Sequence, residues 1–166
     1  LAQCKGTSPK TILDLGTGTG CLLLSLLHEW PGATGIGADK SEKALEQART
    51  NAKRLELDDR ASFIQSDWLN NIEGKFDLII SNPPYIPSKE IDELQAEVKD
   101  HDPLLALDGG EDGLTPYKHL IPLLPSFLIP RGFVLFEIGQ GQENDVCTLL
   151  KDNNFKNIAT AQDLSG

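Results

Sequence analysis

A five-residue apolar run, Thr11–Leu15, leads directly into Gly16-Thr17-Gly18-Thr19-Gly20, and the apolar, helical stretch Cys21–Trp30 comes at once after it. Few folds accept that order. A strand that becomes a helix within five residues predicts a strand–loop–helix unit packed on a sheet. The glycines let the backbone turn tightly and let a ligand come close. The alternation then repeats. Pro31-Gly32 ends the helix, and Ala33–Ala38 is a second strand closed by Asp39. Ser41 is a fitting N-cap for a helix in which Ala44, Ala48, Ala52 and Leu55 recur at helical spacing. Ala61–Gln65 is a third strand ending at Ser66-Asp67-Trp68, and Phe76–Ser81 a fourth.

A polar segment from Pro87 to Gly113 comes next, with a short helix expected across Glu90–Lys99. Thr115-Pro116 reads as an N-cap with proline at the first helical position. Pro122 and Pro125 are expected to kink or interrupt the chain beyond that helix start. Gly132–Ile138 is a fifth strand, Glu143–Lys151 a helix and Phe155–Ala161 a candidate sixth strand. Strands alternating with helices predict an α/β fold, with a mostly parallel sheet covered on both faces.

The chain has 166 residues, enough for one domain with a real core. Its formal net charge of −10 argues against a bare nucleic-acid surface. No apolar run approaches the ~20 residues of a membrane span, and no secretory leader is visible. Cys4, Cys21 and Cys147 are dispersed and odd in number, which argues against a disulfide framework or a zinc site. His28, His101 and His119 share no metal-ligand spacing, so no metal is expected. A reducing, cytoplasmic setting fits best. A chain that starts at Leu1 and contains no methionine reads as a piece of a longer protein.

Ligands of such sheets lie beyond the carboxyl ends of the strands. The loop Gly16–Gly20 marks that place, but G-x-G-x-G is not the dinucleotide fingerprint: Cys21 stands where the third spaced glycine would fall. Asp39, at the end of the second strand, can accept both hydroxyls of a ribose. Asp67, one strand further out, can accept from the exocyclic amine of an adenine, and Trp68 offers an apolar face. Each acid alone reads more readily as a solvated turn residue. Together, three consecutive strand ends of this chemistry suit a nucleoside cofactor without a pyrophosphate, which points to S-adenosylmethionine. Asp14 either holds the loop, meets the methionine amino group, or is a structural cap.

Asn82-Pro83-Pro84-Tyr85 stands just after the fourth strand. Two prolines fix φ twice and remove two N–H donors, so the segment is expected to leave the strand as a stiff, extended arm. What remains are acceptors, the Asn82 side-chain oxygen and the Pro83 carbonyl, beside the ring of Tyr85. That set suits a flat –NH₂ group, an amide or a base amine. Alone, the tetrapeptide is also a proline-rich loop.

Asp14–Gly20, Asp39, Asp67-Trp68 and Asn82–Tyr85 together resemble the class I S-adenosylmethionine-dependent methyltransferases with an Asn-Pro-Pro-Tyr site. The segment Glu97-Val98-Lys99-Asp100-His101-Asp102-Pro103, with Ala106–Gly110 and Asp112-Gly113-Leu114, is similar to the bacterial release-factor glutamine methyltransferases. The resemblance implies a Rossmann-like, doubly wound sheet and one catalytic domain over residues 1–166. It also implies that the family's N-terminal helical domain and its last strand are absent. The implied cofactor is S-adenosylmethionine, yielding S-adenosylhomocysteine and bound by Asp14, Gly16, Thr17, Gly18, Thr19, Gly20, Asp39, Asp67, Trp68 and Asn82. The implied substrate is the glutamine amide of a release factor's Gly-Gly-Gln loop, held by Asn82, Pro83, Pro84 and Tyr85. The acceptors would take the two amide hydrogens and stabilise the charge that develops on nitrogen. Other readings are an adenine-N6 methyltransferase acting on DNA or RNA, a non-catalytic cofactor-binding module and, more distantly, a nicotinamide dehydrogenase.

Overall fold

A computed structural model describes residues 8–93 and 106–162. The chain divides into two compact units, Leu1–Asn82 with Ser126–Phe136, and Pro83–Pro125 with Glu137–Gly166.

The first unit holds the sheet. Its strands are β1 (Thr11–Leu15), β2 (Thr34–Asp39), β3 (Ala61–Gln65), β4 (Phe76–Ser81) and β5 (Leu128–Phe136). They lie in the order β3-β2-β1-β4-β5, and every pairing is parallel. The two central strands, β1 and β4, are buried almost throughout, as apolar runs covered on both faces must be. The chain steps outward from β1 to β3, then crosses back to β4. The order therefore reverses between β1 and β4, and ligand crevices open at such a reversal.

Helices α1 (Cys21–Glu29) and α2 (Glu42–Arg54) complete the unit. Leu23, Leu24 and Leu27 of α1 pack with Ile12, Leu78 and Ile80 of the central strands. The Arg60 guanidinium closes the end of α1 by donating to the carbonyls of Leu27, Trp30 and Ala33. Ser41 caps α2 as expected, its hydroxyl accepting from the Ala44 amide at 3.3 Å. The buried stripe of α2 is Leu45, Ala48 and Ala52. Leu55 does not belong to it: it is 53% exposed. The helix ends there, Glu56 turns at φ 57°, and Leu57 takes the core position instead.

Two strand assignments need correction. β5 begins four residues before the expected Gly132 and ends two before Ile138. Its register with β4 shifts between Phe76 and Leu78, beside Arg131 at φ 69°. That irregularity accommodates Pro130, which cannot donate to a ladder. Phe155–Ala161 forms no strand. Asn154 and Asn157 take φ of 66° and 57°, incompatible with continuous extended backbone.

Among the described residues of the second unit, α3 (Thr115–Leu120) and α4 (Glu143–Asp152) are the α-helices. Leu114, not Thr115, occupies the cap position of α3, its amide donating to Asp112 Oδ1 at 3.1 Å. The helix stops at Leu120, before Pro122, and a 3-10 turn over Leu124–Ser126 contains Pro125. Of the expected helix Glu90–Lys99, a 3-10 turn over Ser88–Glu93 is seen, and the remainder lies outside the described residues. So do Glu97–Pro103 of the resemblance.

Candidate active site

The glycine loop is fastened to the end of β2. The amides of Gly16 and Thr17 both donate to the Ala38 carbonyl, at 2.8 and 3.0 Å. Gly16, Gly18 and Gly20 have φ of 71°, 54° and 78°, a left-handed conformation that favours glycine. Their surroundings differ. A Cβ on Gly20 would lie 3.2–3.3 Å from Ala48, Leu24 and Phe63, whereas one on Gly18 would meet nothing within 4 Å. Gly20 lets the loop pack down, and Gly18 leaves open space above it. Gly37 of β2 has a related role that sequence reading missed: a Cβ there would lie 2.8 Å from both the Phe63 ring and the Thr17 hydroxyl. A glycine in mid-strand signals such a close approach.

Thr17 is buried and donates its hydroxyl to Asp14 Oδ2 at 2.7 Å. Asp14 is 1% exposed, and its other oxygen, Oδ1, is buried with no hydrogen-bond partner among the described residues. Burial pushes the Asp14 carboxyl up to about 6, against the pull of the Thr17 hydroxyl and the Leu23 amide and with a further push from Asp39. A buried acceptor left unmatched beside a ligand loop is costly unless a donor arrives.

Asp39 is half-buried at the end of β2. Its Oδ2 accepts from the Gly18 amide at 2.8 Å and its Oδ1 from the Ser41 amide at 2.8 Å. It therefore braces the loop and the start of α2, and each oxygen keeps accepting capacity. Asp67 is exposed and takes Lys40 Nζ at 3.2 Å, with both side chains more than half exposed. Such a pair is easily exchanged for another partner. Trp68, at φ 55°, sets its ring 3.7 Å from where a Gly16 Cβ would stand. Ser66 shapes that turn: its hydroxyl donates to the Trp68 carbonyl at 2.7 Å and accepts from the Asn71 amide at 3.1 Å. Thr19 is exposed, and its carbonyl accepts from Asn51 Nδ2 at 3.0 Å. The structure thus gathers Asp14, Gly16–Gly20, Asp39 and Trp68 around one loop, with Asp67 on the adjoining turn.

Asn82 comes directly after β4. Leu15 and Ser81 are register partners, and the Ser81 hydroxyl donates to the Leu15 carbonyl at 2.8 Å. Ser81, also missed from sequence, locks the ends of β1 and β4 at the reversal point. Asn82 is exposed, and its side chain has no hydrogen-bond partner among the described residues.

Pro83, Pro84 and Tyr85 belong to the second unit. Residues 82–85 form no helix, strand or turn, and the chain then pairs with a later segment. Ile86 N donates to the Leu107 carbonyl at 3.1 Å, Gly109 N to the Ile86 carbonyl at 2.8 Å, and Ser88 N to the Gly110 carbonyl at 2.9 Å. Asp108 Oδ1 accepts from the Ser88 hydroxyl at 2.7 Å and the Gly110 amide at 2.9 Å, which hold its carboxyl below the usual range. The Asp108-Gly109-Gly110 run is thus the partner of the arm. Tyr117 is buried, donates to the Glu137 carbonyl at 2.7 Å, and has its phenol pushed up mainly by burial. Among the described residues, no group of three or more His, Cys, Asp or Glu is arranged to hold a metal. None of their helices is long and apolar enough to cross a membrane.

Several proteins similar to this chain are named for methyl transfer. The chain is 53% identical over 146 residues to a release factor glutamine methyltransferase of Bradyrhizobium diazoefficiens, covering 88% of this chain and 49% of that protein. It is 50% identical over 155 residues to the one of Rhodospirillum rubrum, covering 93% and 48%. The chain therefore spans about half the length of these curated relatives. Among solved structures, a ribosomal protein L11 methylase from Lactobacillus delbrueckii subsp. bulgaricus superposes with a TM-score of 0.67 at 25% identity, covering 98% of this chain and 69% of that one. The profile of the methyltransferase small domain matches residues 1–104. On its glycine loop, its reversal point and this match, the chain belongs to the methyltransferase small domain family.

Proposed function

We propose that residues 1–166 form the catalytic domain of an S-adenosylmethionine-dependent N-methyltransferase. Its acceptor is the side-chain amide nitrogen of the glutamine in the Gly-Gly-Gln loop of peptide chain release factors. The observation that carries this reading is the exposed amide of Asn82, without a hydrogen-bond partner among the described residues, one residue beyond the β1/β4 reversal and at the head of a donor-poor proline arm. The names of the relatives support the acceptor. The proposed compartment is the cytoplasm.

The residues present fit the cofactor. Asp14 Oδ1 is a buried acceptor without a partner among the described residues, suited to the methionine ammonium. Asp39 retains accepting capacity for ribose hydroxyls, Asp67 for the adenine amine, Trp68 gives an apolar face, and Gly16–Gly20 leave room for close approach. When bound, S-adenosylmethionine supplies an electrophilic methyl group on a sulfonium. The protein's own task is placement. An amide nitrogen is a poor nucleophile because its lone pair is delocalised into the carbonyl. The Asn82 oxygen and the Pro83 carbonyl accept the amide hydrogens and aim the nitrogen; as charge develops there, the same dipoles stabilise it. Pro84 stiffens the arm and Tyr85 packs on the amide. The proton leaves once the nitrogen has become acidic, without a strong base. Incubating the chain with cofactor and a release factor, with peptide mass mapping of the product, tests the assignment. One added methyl on the loop glutamine supports it; methylation of DNA or RNA adenine instead replaces it with the adenine-N6 reading.

A further inference from the structure

Gln142 occupies the N-cap position of α4, yet its side chain makes no capping bond to that helix. It is spent on the arm instead. Its Nε2 donates to the Tyr85 carbonyl at 2.9 Å and to the Gly113 carbonyl at 3.3 Å, and its Oε1 accepts from the Gly139 amide at 3.0 Å. One amide joins three chain segments that are 57 and 29 residues from it, or three.

The surroundings of Tyr85 show why this matters. A Cβ on Gly109 would lie 2.8 Å from Tyr85 Cα, one on Gly139 3.0 Å from the Tyr85 ring, and one on Gly113 would strike the Tyr85 carbonyl. Tyr85 is thus bedded on three glycines that offer no side chain to hold it. Gln142 gives its carbonyl a polar fastening.

We propose that Gln142 is a positioning residue for the methyl-accepting amide, acting through the Tyr85 carbonyl. It sets the end of the arm whose other end is Asn82. The inference rests on the reading of Asn82–Tyr85 as the amide site. Gln has the reach and the two-donor, one-acceptor set that this junction requires. A carboxylate of equal length keeps the acceptor for Gly139 but loses both donors.

The test uses Gln142→Met and Gln142→Glu, with Asn82→Ala beside them, in the chain labelled with 3-fluorotyrosine. The chain has two tyrosines, so ¹⁹F spectra report on Tyr85 and Tyr117, assigned with Tyr85→Phe. Both Gln142 variants are expected to shift or broaden the Tyr85 signal while the Tyr117 signal persists, showing that the fold is kept. They are also expected to lower kcat roughly 10- to 100-fold, the scale of an ångström-level misplacement. Cofactor affinity and stoichiometry should remain within twofold. A purely structural defect would instead lower stoichiometry and disturb both tyrosines. Full turnover in Gln142→Glu, or an unchanged Tyr85 signal in Gln142→Met, would overturn the inference. If Asn82→Ala abolishes turnover while both Gln142 variants keep it, this inference alone fails; if Asn82→Ala keeps turnover, the underlying site assignment fails.

Discussion

Asp14 carries a pH signature. Its carboxyl is raised from 3.8 to about 6 in the folded chain, chiefly by burial. Between those values the folded state holds a proton that the unfolded state has released. The Asp14 contribution to stability is therefore largest at or below pH ~4, falls as pH rises toward 6, and is flat above that. A shift of this size amounts to about 3 kcal/mol at most. Asp14→Asn is expected to stabilise the cofactor-free chain at pH 7 by up to that amount, and to weaken cofactor binding because an ammonium loses its carboxylate. Urea titrations from pH 4 to 8 check the first; calorimetry checks the second. A stability of the unsubstituted chain that rose between pH 4 and 6 relative to that of the Asn variant would contradict the assignment. Asp39→Ala has a double effect, because this carboxylate braces the Gly18 and Ser41 amides. Cofactor affinity is expected to drop by about 1–3 kcal/mol, measurable by titration with labelled cofactor. Residue identities at the strand ends were legible in sequence because each acid ends an apolar run. The orphaned oxygen of Asp14 was not, since it depends on how Thr17 packs against Gly37.

Strands β1, β3 and β4 could be bounded from sequence because each is a short apolar or β-branched run closed by turn residues. α1 needed only its glycine start and Pro31-Gly32 end. β5 could not, because its register shift arises from its pairing with Phe76 and Leu78. Leu55 shows the same limit: helical spacing placed it on the stripe, but the turn at Glu56 hands the core position to Leu57. Gly37 offers a test at this scale. Gly37→Ala puts a methyl 2.8 Å from the Thr17 hydroxyl and the Phe63 ring. Overpacking of this kind costs about 1–3 kcal/mol. Because Thr17 must move, the Asp14 carboxyl loses its hydrogen bond from Thr17, so cofactor affinity should fall along with the melting temperature. A variant with unchanged thermal stability and affinity would show that the strand relaxes freely.

The first unit is built on an all-parallel five-stranded sheet, and the described residues 155–162 join no ladder. The expected sixth strand was suggested by apolar residues at Phe155 and Ile158. Left-handed Asn154 and Asn157 decide against it. Phe155 N donates to the Leu150 carbonyl at 3.0 Å, and no backbone bond among the described residues protects the amides of 156–161. Hydrogen exchange should therefore find those amides orders of magnitude faster than the 12–15 amides of β1; equal protection would contradict this topology. The order of elements and the place of the loop were legible because alternating strands and helices admit few parallel arrangements. The pairing of Ile86 with Leu107–Gly109 was not, because it joins segments that are distant in sequence. The central claim is that Asn82 presents an acceptor to a glutamine amide. Its most direct test is single-turnover methylation of a release factor by the unsubstituted chain and by Asn82→Ala, each with saturating cofactor, read by mass mapping. The account predicts one methyl on the loop glutamine with the unsubstituted chain, and a rate lower by about 10²–10³ in the variant with cofactor affinity largely kept. Equal rates for the two would contradict it.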